Sequence, residues 1–395
     1  MKKKYLIYLL FLFVFNKTTA QVNLSTYAEV SIITAGPGAE LYEAFGHSAI
    51  RIKDPMLQLD LIYNYGMFDF SAPNFYSNFT KGKLIYKLGR YKFDYFLRSY
   101  NQNKRWVKQQ VLNLTGEEKQ AFFIYLERNA SPNNASYFYD PYFNNCATKL
   151  RDITQEVLND KITWSNKNIE TELSFRQLMN KEIPWNTWGS FGINLALGSK
   201  LDRKAEYKEY MYLPDYVYSI FKNSTRELEN KKINLTKKET TILEYKELKQ
   251  TITIFNPLLI FSILSIIGLF ITFINFKNNT RSIILDFILL FTTGGLGLLI
   301  IFLWLFTDHS TTPNNFNILW AFAPNIMLAF LLIKKRKQGW FAKYFKFLVV
   351  LIAPIPFIWI SGIQLLPLSV LPLLILFLVR YLYLSKFYST NPMSR

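Results

Sequence analysis

The chain has 395 residues, half of them hydrophobic, and carries 46 Lys or Arg against 28 Asp or Glu for a formal charge of +18. That excess is not the basic face a nucleic acid needs: residues 21–256 hold 31 basic against 26 acidic groups, whereas residues 257–395 hold 11 against 2, flanking apolar runs where such charges set membrane topology. With one cysteine and two histidines, no internal disulfide can form, no closely spaced metal-ligand set exists, and no Gly-rich phosphate loop is present, so neither a metal nor a cofactor is expected.

Residues 1–20 begin with Lys2, Lys3 and Lys4, continue through the apolar run Tyr5 to Phe15 and end in Thr18-Thr19-Ala20. This is the pattern of a secretory signal peptide, with Gln21 as the expected first mature residue.

The mature half opens with an alternating stretch, Tyr27 to Thr34, that reads as a strand broken by Gly36-Pro37-Gly38. A second strand follows over Ser48 to Lys53, a turn at Asp54-Pro55 and a third strand from Gln58 to Tyr65. A hairpin centred between Pro55 and Met56 sets His47 opposite Asn64, close enough for the amide to orient the imidazole. A one-residue slip would offer Tyr63 or Tyr65 instead.

Lys81 to Arg90 reads as a further strand. Thr115 and Glu118 form a capping box for a helix with Phe122, Tyr125 and Leu126 on its apolar stripe, ended by Ser131-Pro132-Asn133-Asn134.

Ser136 to Phe143 runs extended into the only cysteine. Asn144 and Asn145 precede Cys146, and Asn is a favoured helix N-cap, so Cys146 to Leu158 is expected as a helix that starts at the cysteine. Cys146, Leu150, Ile153 and Val157 fall on one face. A thiol at a helix N-terminus is stabilised as thiolate by the macrodipole and the free N–H groups. A buried cysteine acting as a small hydrophobe is the plain alternative.

Trp164, Trp185 and Trp188 are expected in the core or as interfacial anchors. Asn223 to Lys249 is charged and is expected as a juxtamembrane helix or stalk. The domain boundary falls near residue 250, giving a signal peptide at 1–20, an extracytoplasmic domain at 21–250 and a membrane domain at 251–395.

Five apolar runs follow, Pro257 to Phe276, Ile283 to Phe306, Phe316 to Ile333, Phe345 to Gly362 and Leu365 to Leu384, each near the length that spans a bilayer. Lys277 and Arg281 lie in the first connection, Lys334, Lys335, Arg336, Lys337 and Lys343 in the third, and Arg380, Lys386 and Arg395 at the C-terminal end. The positive-inside rule puts these in the cytoplasm and the loop carrying His309 outside. Pro354 and Pro356, with Gly294, Gly295 and Gly297, are expected to kink helices or let them pack closely.

His47 and His309 are thus both expected on the side of Cys146. A sulfur nucleophile needs an imidazole to take its proton and a polar group to orient that imidazole, and Cys146, His47 and Asn64 supply those types.

Phe45-Gly46-His47-Ser48-Ala49-Ile50-Arg51, Tyr63-Asn64-Tyr65-Gly66 with Phe68-Asp69-Phe70, and Asn144-Asn145-Cys146-Ala147-Thr148 with Leu150-Arg151-Asp152 together resemble the periplasmic domain of the Lnb-type lipoprotein N-acyltransferases. Asp308-His309 and Asn315-Phe316-Asn317-Ile318-Leu319-Trp320 resemble the membrane-half motif of that family. The resemblance implies an α+β, circularly permuted papain-like (NlpC-like) domain followed by a bundle of five transmembrane helices in the inner membrane, with the catalytic domain facing the periplasm. It further implies transfer of a fatty acyl chain, from a membrane phospholipid, to the α-amino group of the N-terminal cysteine of diacylated lipoproteins.

His309, in a short external loop rich in polar side chains, is a candidate for a second role in that reaction. Alternatives are a solvated loop histidine, a membrane-anchored hydrolase of the same fold acting on cell-wall peptides, and a non-catalytic membrane scaffold.

Overall fold

The computed structural model describes residues 22–159, 161–247, 251–333 and 339–390. The expected signal peptide, the boundary near residue 250, the basic residues 334–337 and Arg395 lie outside the described residues.

In chain order, the extracytoplasmic half forms β1 (Glu29–Ala35), β2 (His47–Asp54), β3 (Leu59–Met67), α1 (Phe75–Thr80), β4 (Ile85–Lys92), α2 (Phe93–Gln102), β5 (Val107–Leu112), α3 (Gly116–Ala130), β6 (Ser136–Phe138) and α4 (Cys146–Val157). It continues with β7 (Ile162–Thr163), α5 (Phe175–Glu182), α6 (Trp188–Ala196), α7 (Pro214–Asn223), β8 (Thr225–Leu228), β9 (Lys231–Asn234) and β10 (Thr236–Leu243). Seven strands make one antiparallel sheet in the order β10-β5-β1-β2-β3-β4-β6, and β7-β8-β9 make a small second one.

Alternation along β1 and β2 feeds two cores. Val30, Ile32, Ile50 and Ile52 face α3 and α4 through Phe122, Leu126, Leu150 and Ile153, and the intervening Ile33, Ala35 and Ala49 pack with Ile62, Phe93 and Phe96 of the opposite face. Each such fully buried side chain is worth about 1.5–3 kcal/mol relative to exposure, which is why β1 is buried along nearly its whole length.

The expected stalk at 223–249 is instead β8, β9 and β10, and β10 closes one edge of the main sheet against β5. Glu229 and Asn230 both hold positive φ, 50° and 60°, the geometry of a tight two-residue hairpin turn. Charge concealed this, because an edge strand is half in water and tolerates the exposed Lys237 and Lys238. The hairpin of β2 and β3 also differs from expectation. Ile50 faces Tyr63 and Asp54 faces Leu59, a shift of two residues that keeps every side chain on its expected face. The Asp54 carboxylate sets the turn by accepting from the backbone N–H of Met56 and Leu57 at 3.0 and 3.3 Å.

The membrane half contributes α8 (Pro257–Asn278), α9 (Ile283–Leu305), α10 (Asn325–Ile333), α11 (Trp340–Ile352), α12 (Ile355–Ile360) and α13 (Leu371–Thr390). Among the described residues, four helical stretches are long and apolar enough to cross a membrane, with α11 and α12 counted as one stretch interrupted at Ala353-Pro354. The third apolar run is not one helix. It makes a 3-10 turn at Phe316–Leu319, breaks before Pro324 and resumes as α10, because the polar Asn315 and Asn317 turn inward to backbone carbonyls and Pro324 cannot continue a helix. Gly294 and Gly297 bring α9 against this break, since a Cβ there would lie 2.3 Å from the Ile326 nitrogen and 2.2 Å from the Ala321 carbonyl oxygen.

One ion pair is sealed inside the bundle. Arg380 on α13 donates to Asp286 on α9 at 2.7 Å and to Asn275 on α8 at 2.9 Å, and Arg281 donates to the Leu332 carbonyl of α10.

The two halves are joined by a buried polar seam. Asn315 donates to the Leu195 carbonyl at 2.8 Å, Gln364 to that of Leu197 at 3.3 Å, and the Leu365 N–H to Asp202 at 3.0 Å. Asp202 also accepts from Arg176, whose remaining donors reach Asn194 and the Leu197 and Gly198 carbonyls. Trp164 is core, whereas Trp185 and Trp188 are exposed, and Trp188 donates to the Phe255 carbonyl at 2.8 Å just before α8.

Arg176 and Asp202 are both nearly inaccessible. Asp202→Ala leaves a buried guanidinium without its counter-charge and is expected to cost about 3–5 kcal/mol, read as a fall in the unfolding midpoint in detergent. A midpoint unchanged from wild type would show that the seam carries no such load.

Candidate active site

The site is built where β2 and β3 meet the start of α4. Asn145 caps α4 as expected. Its Oδ1 accepts from the N–H groups of Ala147 and Thr148 at 2.9 Å each, while the Thr148 hydroxyl accepts from the Asn145 N–H at 2.8 Å. The cap holds Cys146 at the first turn, 8% exposed, with Leu150 and Ile153 of the same face packed in the core.

His47 is the first residue of β2 and is half-buried. Its imidazole faces Cys146 closely enough for the two to interact by charge and hydrogen bonding, and its Nε2 donates to Asn64 Oδ1 at 2.5 Å. With Nε2 committed to the amide, Nδ1 is the ring nitrogen left for sulfur. Asn64 is diagonal to His47 across the hairpin rather than directly opposite, and the two-residue register shift leaves it within reach because the face is unchanged.

Burial pushes the Cys146 thiol up. The charge and hydrogen bond of His47, with the backbone N–H groups of Ser48 and Ala147, outweigh it and hold the thiol below its ordinary value. Burial likewise pushes the imidazole down, but the charge and hydrogen bond of Cys146 and the bond to Asn64 raise it on balance. The two shifts favour a thiolate beside an imidazolium, the reactive form of a cysteine nucleophile.

Two contributors, Tyr91 and Tyr139, carried no sequence signal, whereas Gly66 belongs to a run already singled out in the sequence. Tyr91 accepts from Asn64 Nδ2 at 2.9 Å, which fixes the amide with its oxygen towards His47. It is diagonal to Asn64 on β4, where Asn64 faces Gly89, so only the strand pairing reveals it. Tyr139 lies across Gly66 from Cys146, its hydroxyl pushed well above the phenol range by burial and by the Cys146 charge. At Gly66, a Cβ would sit 3.7 Å from that of Cys146 and 3.6 Å from the Tyr139 ring.

Cys146, His47 and Asn64 are therefore brought together. His309 is not hydrogen-bonded to them: its ring stands edge-on to Phe79 at 6.5 Å between centroids. Its loop is nevertheless tied to the approach to Cys146, because Ser310 donates to Asp140, whose carboxylate also accepts from the Tyr142 and Phe143 N–H groups.

A mixed α/β domain seated by buried hydrogen bonds on the loops of a bundle whose helices are long and apolar enough to cross a membrane defines a membrane protein with a folded domain outside the bundle. Residues 14–188 match the family model for the Lnb N-terminal periplasmic domain, and residues 249–391 match that for the Lnb transmembrane domain. The chain belongs to the Lnb family, which makes it a lipoprotein-modifying membrane enzyme with a periplasmic domain. No curated protein and no solved structure matches it.

The pH dependence of the thiol tests the site. Because the Cys146 shift is downward, its alkylation by iodoacetamide should reach full rate at a lower pH than that of free cysteine. His47→Ala removes the charge that stabilises the thiolate, so the rate at neutral pH should fall about tenfold. Identical pH profiles for wild type and His47→Ala would show that the imidazole does not activate the thiol.

Proposed function

We propose that the protein N-acylates the α-amino group of the N-terminal cysteine of diacylated lipoproteins, with a membrane phospholipid as donor and Cys146 as nucleophile. The observation that carries this reading is a helix-capped thiol facing an imidazole that an amide orients, in a domain hydrogen-bonded to the loops of an apolar helical bundle. A soluble substrate would need no such seat.

In the first half-reaction the Cys146 thiolate attacks the phospholipid ester carbonyl. The C–S bond forms, the ester C–O bond breaks, and the leaving lysophospholipid oxygen takes the proton held by His47. In the second, the lipoprotein amine attacks the thioester, the amide bond forms, the C–S bond breaks, and His47 receives the amine proton as the thiolate returns. Asn64 keeps the imidazole in the tautomer and orientation both steps use, and the histidine strand precedes the cysteine helix, the order of a circularly permuted papain-like fold.

His309 serves this reaction from the membrane loop, either by seating the donor headgroup or by assisting the amine step. The Lys and Arg distribution supports a cytoplasmic C-terminus and a periplasmic 307–315 loop. On that topology the run 316–333 also crosses, as the third of five membrane segments.

Purified wild-type protein incubated with phospholipid should gain a fatty-acyl mass on the peptide containing Cys146. Cys146→Ala should lack it and lose lipoprotein N-acylation by about a thousandfold or more. N-acylation by Cys146→Ala at the wild-type rate would refute the mechanism. In His309→Ala, survival of the adduct with loss of transfer assigns the residue to the amine step, loss of both assigns it to the donor, and two unchanged half-reactions exclude it.

Topology is tested separately. In a Cys146→Ala background, Lys335→Cys should resist a membrane-impermeant maleimide in intact spheroplasts, and ready labelling would invert the orientation.

A further inference from the structure

An unbroken row of aromatic rings leads from the cysteine to the membrane loop. Tyr139, which with Cys146 flanks Gly66, stacks on Tyr86 at 4.3 Å, and Tyr86 meets Phe68 at 5.0 Å. Phe68 meets Phe70 at 4.8 Å and Phe75 at 6.0 Å, Phe75 stacks on Phe79 at 6.2 Å, and Phe79 ends against His309. Far from being covered, the outer end of the row is bare, with Phe70 and Phe79 each 50% exposed. Contiguous exposed aromatic surface of this kind marks a binding site.

Its position says for what. The main chain after α1 is pinned to the loop between α9 and α10, where the Asp308 N–H donates to the Lys81 carbonyl at 2.8 Å. Gly82, at φ +76°, lies so near that a Cβ would be 2.5 Å from the His309 nitrogen. The apolar helix α9 ends at Leu305, with Leu305 and Phe306 both exposed. The aromatic shelf therefore begins within a few residues of the edge of the hydrocarbon layer and runs to the sulfur.

We propose that this shelf is the binding track for one acyl chain of the phospholipid donor, from the bilayer edge to Cys146. The proposal rests on the acyl-transfer reading above. It assigns the shelf to the donor rather than to the lipid of the acceptor because the donated chain must end on sulfur, and the shelf is the apolar surface continuous with Tyr139, across Gly66 from Cys146. The acceptor has only to deliver an amine.

The test compares two donors, dihexadecanoyl- and dibutanoyl-phosphatidylethanolamine, with thioester on Cys146 as the readout. The double variant Phe70→Ser, Phe79→Ser should form thioester from the long-chain donor about tenfold more slowly than wild type, while the short-chain rate and the iodoacetamide labelling of Cys146 stay at wild-type level. Equal losses with both donors, or no loss with either, would overturn the track. A second readout does not need the reaction: a phosphatidylcholine with a diazirine on its acyl chain, photolysed with the full-length Cys146→Ala protein in vesicles, should label the peptide spanning residues 68–79. Labelling confined to the helical bundle, or labelling of that peptide by a diacylated lipopeptide probe alone, would overturn it. Labelling of the shelf with no thioester in the wild type keeps the track and removes the acyl-transfer reading, whereas thioester with no labelling does the reverse.

Discussion

The side chain of Asn145 is the fixed point of the molecule. It is 5% exposed, and every hydrogen-bonding group it owns is used: Oδ1 caps the first turn of the cysteine helix, and Nδ2 donates to the Pro141 carbonyl at 2.7 Å and the Tyr212 carbonyl at 2.8 Å. A buried amide left half-paired would cost about 1–3 kcal/mol for each missing bond. Full pairing therefore selects one position for the start of α4, and with it one position for sulfur relative to β2. The imidazole can then be held from the far side by Asn64 and Tyr91, because what it must meet does not move.

The same logic, polar groups buried and fully paired, extends to the junction with the membrane. Asn315, Asn317 and Gln364 are almost inaccessible and are spent on carbonyls of the 194–197 segment, on Asn315 itself and on the main chain at Phe316. Apolar contacts would have allowed the domain to slide over the loops. Directional bonds do not, so the position of Cys146 relative to the helical bundle is set by the fold, and Asp140 carries the constraint from the Ser310 loop to the residues just before the cysteine helix.

Much of this was legible in the sequence where the signal is local. The caps at Thr115 and Asn145, the apolar face of the cysteine helix and the first, second, fourth and fifth membrane runs follow from periodicity and capping chemistry within one element. Pairing between elements was less legible. The His47 and Asn64 side chains meet although their strands are offset by two residues from the expected register, since parity rather than register decides the face. β8 to β10 were hidden by charges that edge strands tolerate, and the third apolar run concealed a break whose cause, inward-turning asparagines, depends on partners more than 100 residues away. Tyr91 and Tyr139 had no signal at all, because nothing in a tyrosine's neighbours along the chain tells which strand will lie beside it.

The sealed pair of Arg380 and Asp286 bears on the order in which the protein is made. Asp286 enters the membrane with the second apolar helix, but the guanidinium that pairs with it belongs to the last one, and Arg281 reaches its other oxygen only from the loop at 3.3 Å. Throughout synthesis of the intervening helices the carboxyl group is without its main partner in a medium that penalises it. The bundle is therefore clasped by its final segment, and a chain cut short before Arg380 would expose a polar group to lipid, a defect of the kind that membrane quality control can read.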